Sequence, residues 1–390
     1  MMNRQELELY IHIPFCIRKC AYCDFLSFAA PERVYREYMD KLIEELYGQS
    51  ACFQESVVTS IFLGGGTPSV LPAELVEELF AVLQDCFWIA KDAEITIEAN
   101  PGTLTMEKLE VYQQSGINRI SLGLQSADDQ ELKYLGRIHT YDEFLKSYQR
   151  ARQAGFTNIN VDLMSALPGQ DLHSLKCTLR KVMMLRPEHI SAYSLILEEG
   201  TPFYDYYLGQ GGGGKLVLPP LPDEDTDRAM YYLTREMLEA QGYQRYEISN
   251  YAKPGYECRH NLGYWTGTDY LGLGLGASSY TFGHRYHNVT KLEEYLSLDL
   301  SQAGAAARDI QKLELKDKME EFMFLGLRLT EGVSGSRFLE RFGQNMWKIY
   351  GDVIRKLEKK GLLKVEAPWV RLTDLGVDVS NMVLSEFLLE

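Results

Sequence analysis

Three cysteines, Cys16, Cys20 and Cys23, fall within eight residues of the stretch HIPFCIRKCAYCDF. Thiolates are soft ligands, and three so close together can wrap one compact inorganic centre. Iron–sulfur clusters ordinarily take four cysteines, so three local ones would leave one iron open to a small molecule. Structural zinc completed by a distant Cys or His, and thiols holding no metal, are the other readings this spacing admits. A second candidate is CRHNLGYW, Cys258–Trp265, which joins the imidazole of His260 to two aromatic residues, Tyr264 and Trp265. A lone histidine is most often structural, and NLGYW also reads as a surface turn with its aromatics packed inward.

Elements of alternating type must position these groups. Short β-rich runs at Leu9–Ile13, Ser60–Leu63, Glu94–Glu98, Arg119–Leu124, Asn158–Leu163 and Ile190–Leu195 alternate with amphipathic helical segments. One helix is expected after Pro31, another after the Thr140/Glu143 capping box, and a third from about Asp171 to before Pro187. Six βα units in a row predict a parallel α/β sheet, curved fully or partly into a barrel, with its function at the strand C-termini. The cysteines follow the first strand at that end. A Gly-rich run, GQGGGGKL, lacks the P-loop hydroxyl at Leu216 and a preceding strand, so it predicts a loop. GLGLGAS at Gly272–Ser278 predicts tight backbone packing. After residue 300 the pattern changes to three helical segments and a hairpin, GLLKVEAPWVRLTDLG, which predicts a separate winged-helix-like domain over 301–390 beside a barrel over 1–300.

Composition narrows the function. The 390 residues carry a formal charge of −15, which disfavours indiscriminate binding to nucleic acid or anionic lipid. Residues 301–390 hold 14 basic and 14 acidic side chains, without the basic excess a DNA reader displays, so a cluster-bearing DNA regulator is disfavoured. The N-terminal residues lack a signal-peptide core, and no apolar run is long enough to span a bilayer. Cys52, Cys86, Cys177 and Cys258 are scattered and bring the cysteines to an odd seven, which predicts free thiols in a reducing cytoplasm.

CIRKCAYC resembles the C-x3-C-x-aromatic-C signature of the radical S-adenosylmethionine (SAM) superfamily, with Tyr22 as the aromatic. GGGTP at Gly64–Pro68, Glu98 in IEANPG, Gln125 in SLGLQS, Arg137 in LGRIH and Asp162 in NVDLM follow in the order of its coproporphyrinogen dehydrogenase-like branch. The resemblance spans nearly the whole chain. It implies a partial (β/α)6, TIM-like barrel with a small winged-helix-like C-terminal domain, and a [4Fe-4S] cluster on Cys16, Cys20 and Cys23. SAM would complete the open iron, contacted by Tyr10, Gly65, Gly66, Thr67, Glu98, Gln125, Arg137 and Asp162. Within the branch, the dehydrogenases carry a further cysteine where this chain has Phe25, and a longer segment before the first strand. CRHNLGYW instead resembles the H-N-x-x-Y-W signature of the branch's haem chaperones, which implies haem at His260 and an acceptor protein as partner. An enzyme acting on a tetrapyrrole, whether a dehydrogenase or a methyltransferase, is the competing implication.

Overall fold

The computed structural model describes residues 4–209 and 217–389; apart from Gly209, the Gly-rich run lies outside the described residues. The chain runs β1 (Gln5–Ile13), α1 (Glu32–Ser50), β2 (Ser56–Gly65), α2 (Ala73–Cys86), β3 (Ile89–Ala99), α3 (Met106–Gln114) and β4 (Arg119–Gln125). It continues through α4 (Asp129–Tyr134), α5 (Tyr141–Gln153), β5 (Ile159–Ser165), α6 (Leu172–Leu185) and β6 (His189–Ser194). The six strands are parallel and neighbour one another in sequence order. The capping box at Thr140 and Glu143 is formed, and Asp171 caps α6.

Strand alternation sets the character of the barrel. Leu9, Ile11, Ile13, Ile61, Leu63, Ile95, Ile97, Ile120, Leu122, Val161 and Ile190 pack in the main apolar core, to which the helices contribute. Their neighbours in sequence, such as Glu98, Arg119, Ser121, Asn160, Asp162 and His189, line an interior cavity instead. A buried parallel sheet is ordinarily apolar on both faces. Here the lumen is polar, and only the outer face builds core.

Beyond β6, α7 (Pro202–Tyr207) and α8 (Glu224–Glu239) lead to β7 (Gln244–Arg245) and β8 (Asn250–Ala252), and β8 pairs antiparallel with β6. Then α9 (Arg259–Thr266) precedes β9 (Tyr270–Leu273), which joins β1 in parallel. The sheet is completed by β10 (Ser278–Thr281), β11 (His284–Asn288) and, after α10 (Leu292–Ser297), β12 (Ala307–Lys312). Its edge strands, β7 and β12, do not pair with each other, so the barrel is partial. CRHNLGYW is therefore not a surface turn: most of it is helix α9, with His260 2% exposed.

The C-terminal region has its own apolar core, including Met323, Phe338, Tyr350, Ile354, Val370 and Phe387. Its order is α11 (Leu315–Gly326), β13 (Val333–Ser334), α12 (Gly335–Phe342), α13 (Met346–Lys359) and a hairpin of β14 (Leu363–Glu366) and β15 (Trp369–Leu372). That is the winged-helix order. It docks on the barrel through Arg341, which donates to the carbonyls of Thr266 and Gly267, and through Tyr232, which donates to Asp378. No described helix is long and apolar enough to cross a membrane.

Candidate functional site

The cysteine loop leaves β1 at the barrel mouth and is tied down by backbone hydrogen bonds. Cys16 N donates to Phe28 O (3.0 Å), Ala21 N to Leu135 O (3.0 Å), and Phe203 N of α7 to Ala21 O (3.0 Å). Gly66 N and Thr67 N donate to Ile13 O and Phe15 O, both at 2.8 Å, fastening the loop to the GGGTP turn. The glycines there have an internal reason. Gly65 has φ +107°, and a Cβ on it would strike the His12 ring; one on Gly66 would sit 2.6 Å from Phe15 O.

Cys16, Cys20 and Cys23 line one cleft of about 130 Å³, together with Gly65, Gly66, Thr67, Glu98, Gln125, Arg137 and Asp162. The site residues that the resemblance implies thus line one cleft, except Tyr10 and His260. No further Cys or His lines the cleft among the described residues, so the protein presents three thiols and stops. Thr67 Oγ1 lies 3.5 Å from Cys16 Sγ, and Arg137 Nη1 lies 3.5 Å from Cys20 Sγ. Three soft donors beside a buried cation fit a cluster with one open iron.

Arg137 is held by two acceptors, Asn100 Oδ1 (2.6 Å) and Gly123 O (2.5 Å). Asn100 also donates to Thr67 Oγ1 at 2.7 Å, so it orients both residues. Gln125 ends β4 at φ +72°, a left-handed conformation rare for a side-chain-bearing residue, beside a break in register with β5. Glu98 accepts from Gly65 N at 3.1 Å; burial, then the nearby Asp162, pushes its carboxyl up to about 8. Burial also raises Asp162, opposed by hydrogen bonds from Asn160 (2.7 Å) and Ser121 (3.1 Å). Two carboxyls, an amide and a guanidinium around one cleft suit a ligand with ammonium, carboxylate and ribose hydroxyls.

Tyr10 points into the lumen, its hydroxyl 3.0 Å from His12 Nδ1 and its ring stacked on Phe62. The inner cavity, about 150 Å³, shares Glu98, Ser121 and Asp162 with the cleft and continues down to α9. There α9 closes the floor. Glu94 of β3 accepts from Cys258 Sγ (3.3 Å), Arg259 N (3.1 Å) and His260 N (3.2 Å), capping the helix. Burial pushes the Cys258 thiol up, which keeps it a donor. A Cβ on Gly263 would run into the Glu8 carboxyl, so the helix sits directly against β1.

His260 is engaged at both nitrogens: Nδ1 with Ser60 Oγ (2.8 Å) and Nε2 with Tyr264 OH (3.0 Å). Its ring stacks on Phe62 at 5.2 Å. Burial lowers its pKa to about 3, and burial raises Glu8 to about 9, so the two are neutral neighbours at 3.8 Å rather than an ion pair. Tyr264 packs edge-on against His260 and Tyr270, and Trp265 lies under Arg328 at 4.5 Å. A buried imidazole with both nitrogens engaged, packed against Phe62 and Tyr264, does not fit a haem ligand.

Above the floor, Asp162, Asn160, His189, Tyr246 and Asn261 form one hydrogen-bonded chain, with links of 2.7, 2.7, 2.9 and 3.3 Å. Asn100, Arg119, Asn160, His189 and Tyr246 were not singled out from the sequence. The polar partners in the strand alternation of EITIEA, RISLGLQ and NVDLMS would have found Arg119 and Asn160.

The Radical SAM superfamily model matches residues 10–182, and the HemN C-terminal domain model matches residues 313–379. The chain is 38% identical to the Heme chaperone HemW of Bacillus subtilis, over 97% of this chain and 98% of that one. It is also 38% identical to the Heme chaperone HemW of Escherichia coli, over the full length of both. Among solved structures, coproporphyrinogen III oxidase (HemN) from Escherichia coli superposes with a TM-score of 0.85 at 23% identity, covering 99% of this chain and 90% of that one.

Proposed function

The chain belongs to the HemW family of the radical SAM superfamily, and from that premise we propose that it is a cytoplasmic haem chaperone. It binds haem, passes it to an acceptor protein, and carries a [4Fe-4S] cluster and SAM. The observation that carries the reading is 38% identity to the HemW relatives over 97–100% of the chain, a span that takes in both the cysteine loop and CRHNLGYW.

Cys16, Cys20 and Cys23 would hold the cluster, which supplies an open iron and an electron. Arg137 would neutralise the carboxylate of SAM while staying beside Cys20. Glu98, Gln125 and Asp162 would accept from its ammonium and ribose, and Gly65, Gly66 and Thr67 would form the backbone wall. Tyr10 and its stacking partner Phe62 would close the site from below and keep water from the lumen.

The test is anaerobic. Reduced, cluster-replete protein with SAM is given haem in one sample and coproporphyrinogen III in another, and the tetrapyrroles and 5′-deoxyadenosine are identified by mass spectrometry. The expected result is haem bound and recovered intact, delivered to a haem-free acceptor such as apomyoglobin, with coproporphyrinogen unchanged. A decarboxylated or methylated tetrapyrrole formed in proportion to cleaved SAM would overturn the reading and make the protein an enzyme.

A further inference from the structure

Resting on the chaperone reading, we propose that haem docks on the apolar rim of the cluster mouth, against Ile17, Phe25 and Ile138, with its propionates toward Arg18 and Lys19, and not on His260. Three large apolar side chains stand open there: Ile17 at 59%, Phe25 at 63% and Ile138 at 53% exposure. Single exposed apolar residues are ordinary, whereas a grouped patch around a functional cleft is informative. These are grouped. Ile17 and Ile138 line a cleft with Cys20 and Arg137, and Phe25 lines the adjoining cleft with all three cysteines. The two clefts share Arg18, Cys20, Thr67, Asn100 and Arg137, so the surface is continuous.

Charge selects the occupant. A chain of net charge −15 repels a dianion over most of its surface, yet the rim sets Arg18 and Lys19 side by side with one acid, Asp24, in the same loop. Each cation gives one hydrogen bond to a carbonyl, Arg18 to Gly136 O (2.6 Å) and Lys19 to Phe25 O (2.9 Å). Guanidinium has five donors and ammonium three, so both retain N–H groups for carboxylates. A flat apolar ring with two carboxylates at one edge is the chemistry this surface complements. The floor has no such vacancy, since both nitrogens of His260 are bonded and its aromatic neighbours are packed.

The experiment titrates haem into the full-length, cluster-replete protein and follows the Soret band. It compares wild type with I17D/F25D, R18Q/K19Q and H260N, and reads cluster absorption in each sample. The expected result is at least tenfold weaker binding in I17D/F25D, a weaker and less salt-sensitive affinity in R18Q/K19Q, and H260N within twofold of wild type. Should I17D/F25D disturb the cluster, Ile138→Asp, outside the cysteine loop, is the second variant and should also bind at least tenfold more weakly. The proposal is overturned if the rim variants bind as wild type while H260N does not. It is equally overturned if they bind haem normally but fail only in delivery, which would assign the rim to a protein partner. Wild type that binds no haem would sink the chaperone reading itself.

Discussion

The two ends of the barrel are built from the same six strands and treat their polar groups in opposite ways. At the mouth, Glu98, Gln125, Arg137 and three thiols line an open cleft, and the backbone holds a left-handed Gln125. At the floor, Glu94, Ser60, His260 and Tyr264 satisfy one another under α9 and exclude solvent. Both ends contain a histidine or cysteine set that sequence alone could nominate for metal. The difference teaches that donor type is not enough. A ligand site needs donors the fold has left uncommitted.

That contrast can be broken by substitutions at each end. The largest effect belongs to the mouth: Cys20→Ser should remove essentially all bound iron and visible absorption, while the apo-protein melts as wild type does. Next is Gly66→Ala, whose new Cβ would press on Phe15 O and Ile13 O. It should distort the cysteine loop and weaken SAM binding about tenfold, or about 1.4 kcal/mol, measured by equilibrium dialysis.

At the floor, His260→Ala should instead cost stability, about 2–4 kcal/mol in urea unfolding, by leaving Ser60 and Tyr264 without their partner. Its cluster should still assemble; loss of iron at unchanged stability would place His260 in the mouth's chemistry after all.

The floor also sets a pH dependence. Glu8 holds its proton to about pH 9 when folded, against an ordinary value of 4.5. The native state therefore binds the extra proton between those values, and stability falls as pH rises through that window. The slope is at most about 1.4 kcal/mol per pH unit. Glu8→Gln should flatten it, as read by melting temperature between pH 6 and 9. His260 acts in the other direction: it is neutral when folded down to about 3, against 6.5, so its contribution is lost as pH falls below 6.5.

The mouth was legible because covalent spacing does most of the work. Three cysteines within eight residues after a strand must share a loop; the βα period places Glu98, Gln125 and Asp162 on their strands, and the radical SAM resemblance marks them as site residues. β1 runs longer than its β-rich centre because its parallel pairing with β2 extends through polar residues such as Gln5 and Glu6, and β3 starts earlier because Ile89 pairs with Val58 ahead of a register shift. The floor was not legible for a matching reason. His260 meets Ser60 across 200 residues, and Glu94 caps α9 from 166 residues away, pairings set by sheet register and by where α9 lands. Local pattern could not separate a helix plug from an aromatic turn at Asn261–Trp265.

The chain of hydrogen bonds through the lumen has a fixed direction. Asn160 gives its amide hydrogens to Asp162 and Ser121, so its oxygen must accept, and the His189 nitrogen facing it must carry hydrogen. Burial holds His189 neutral, so its other nitrogen accepts; Tyr246 must donate to it, and Asn261 to Tyr246. Every dipole in the series therefore points the same way, tail at the helix below and head on a carboxylate above. None can turn alone. Replacing Asn261 would remove the donor that polarises the Tyr246 hydroxyl, and the electrostatic potential felt by Asp162 would shift although nothing near Asp162 had moved.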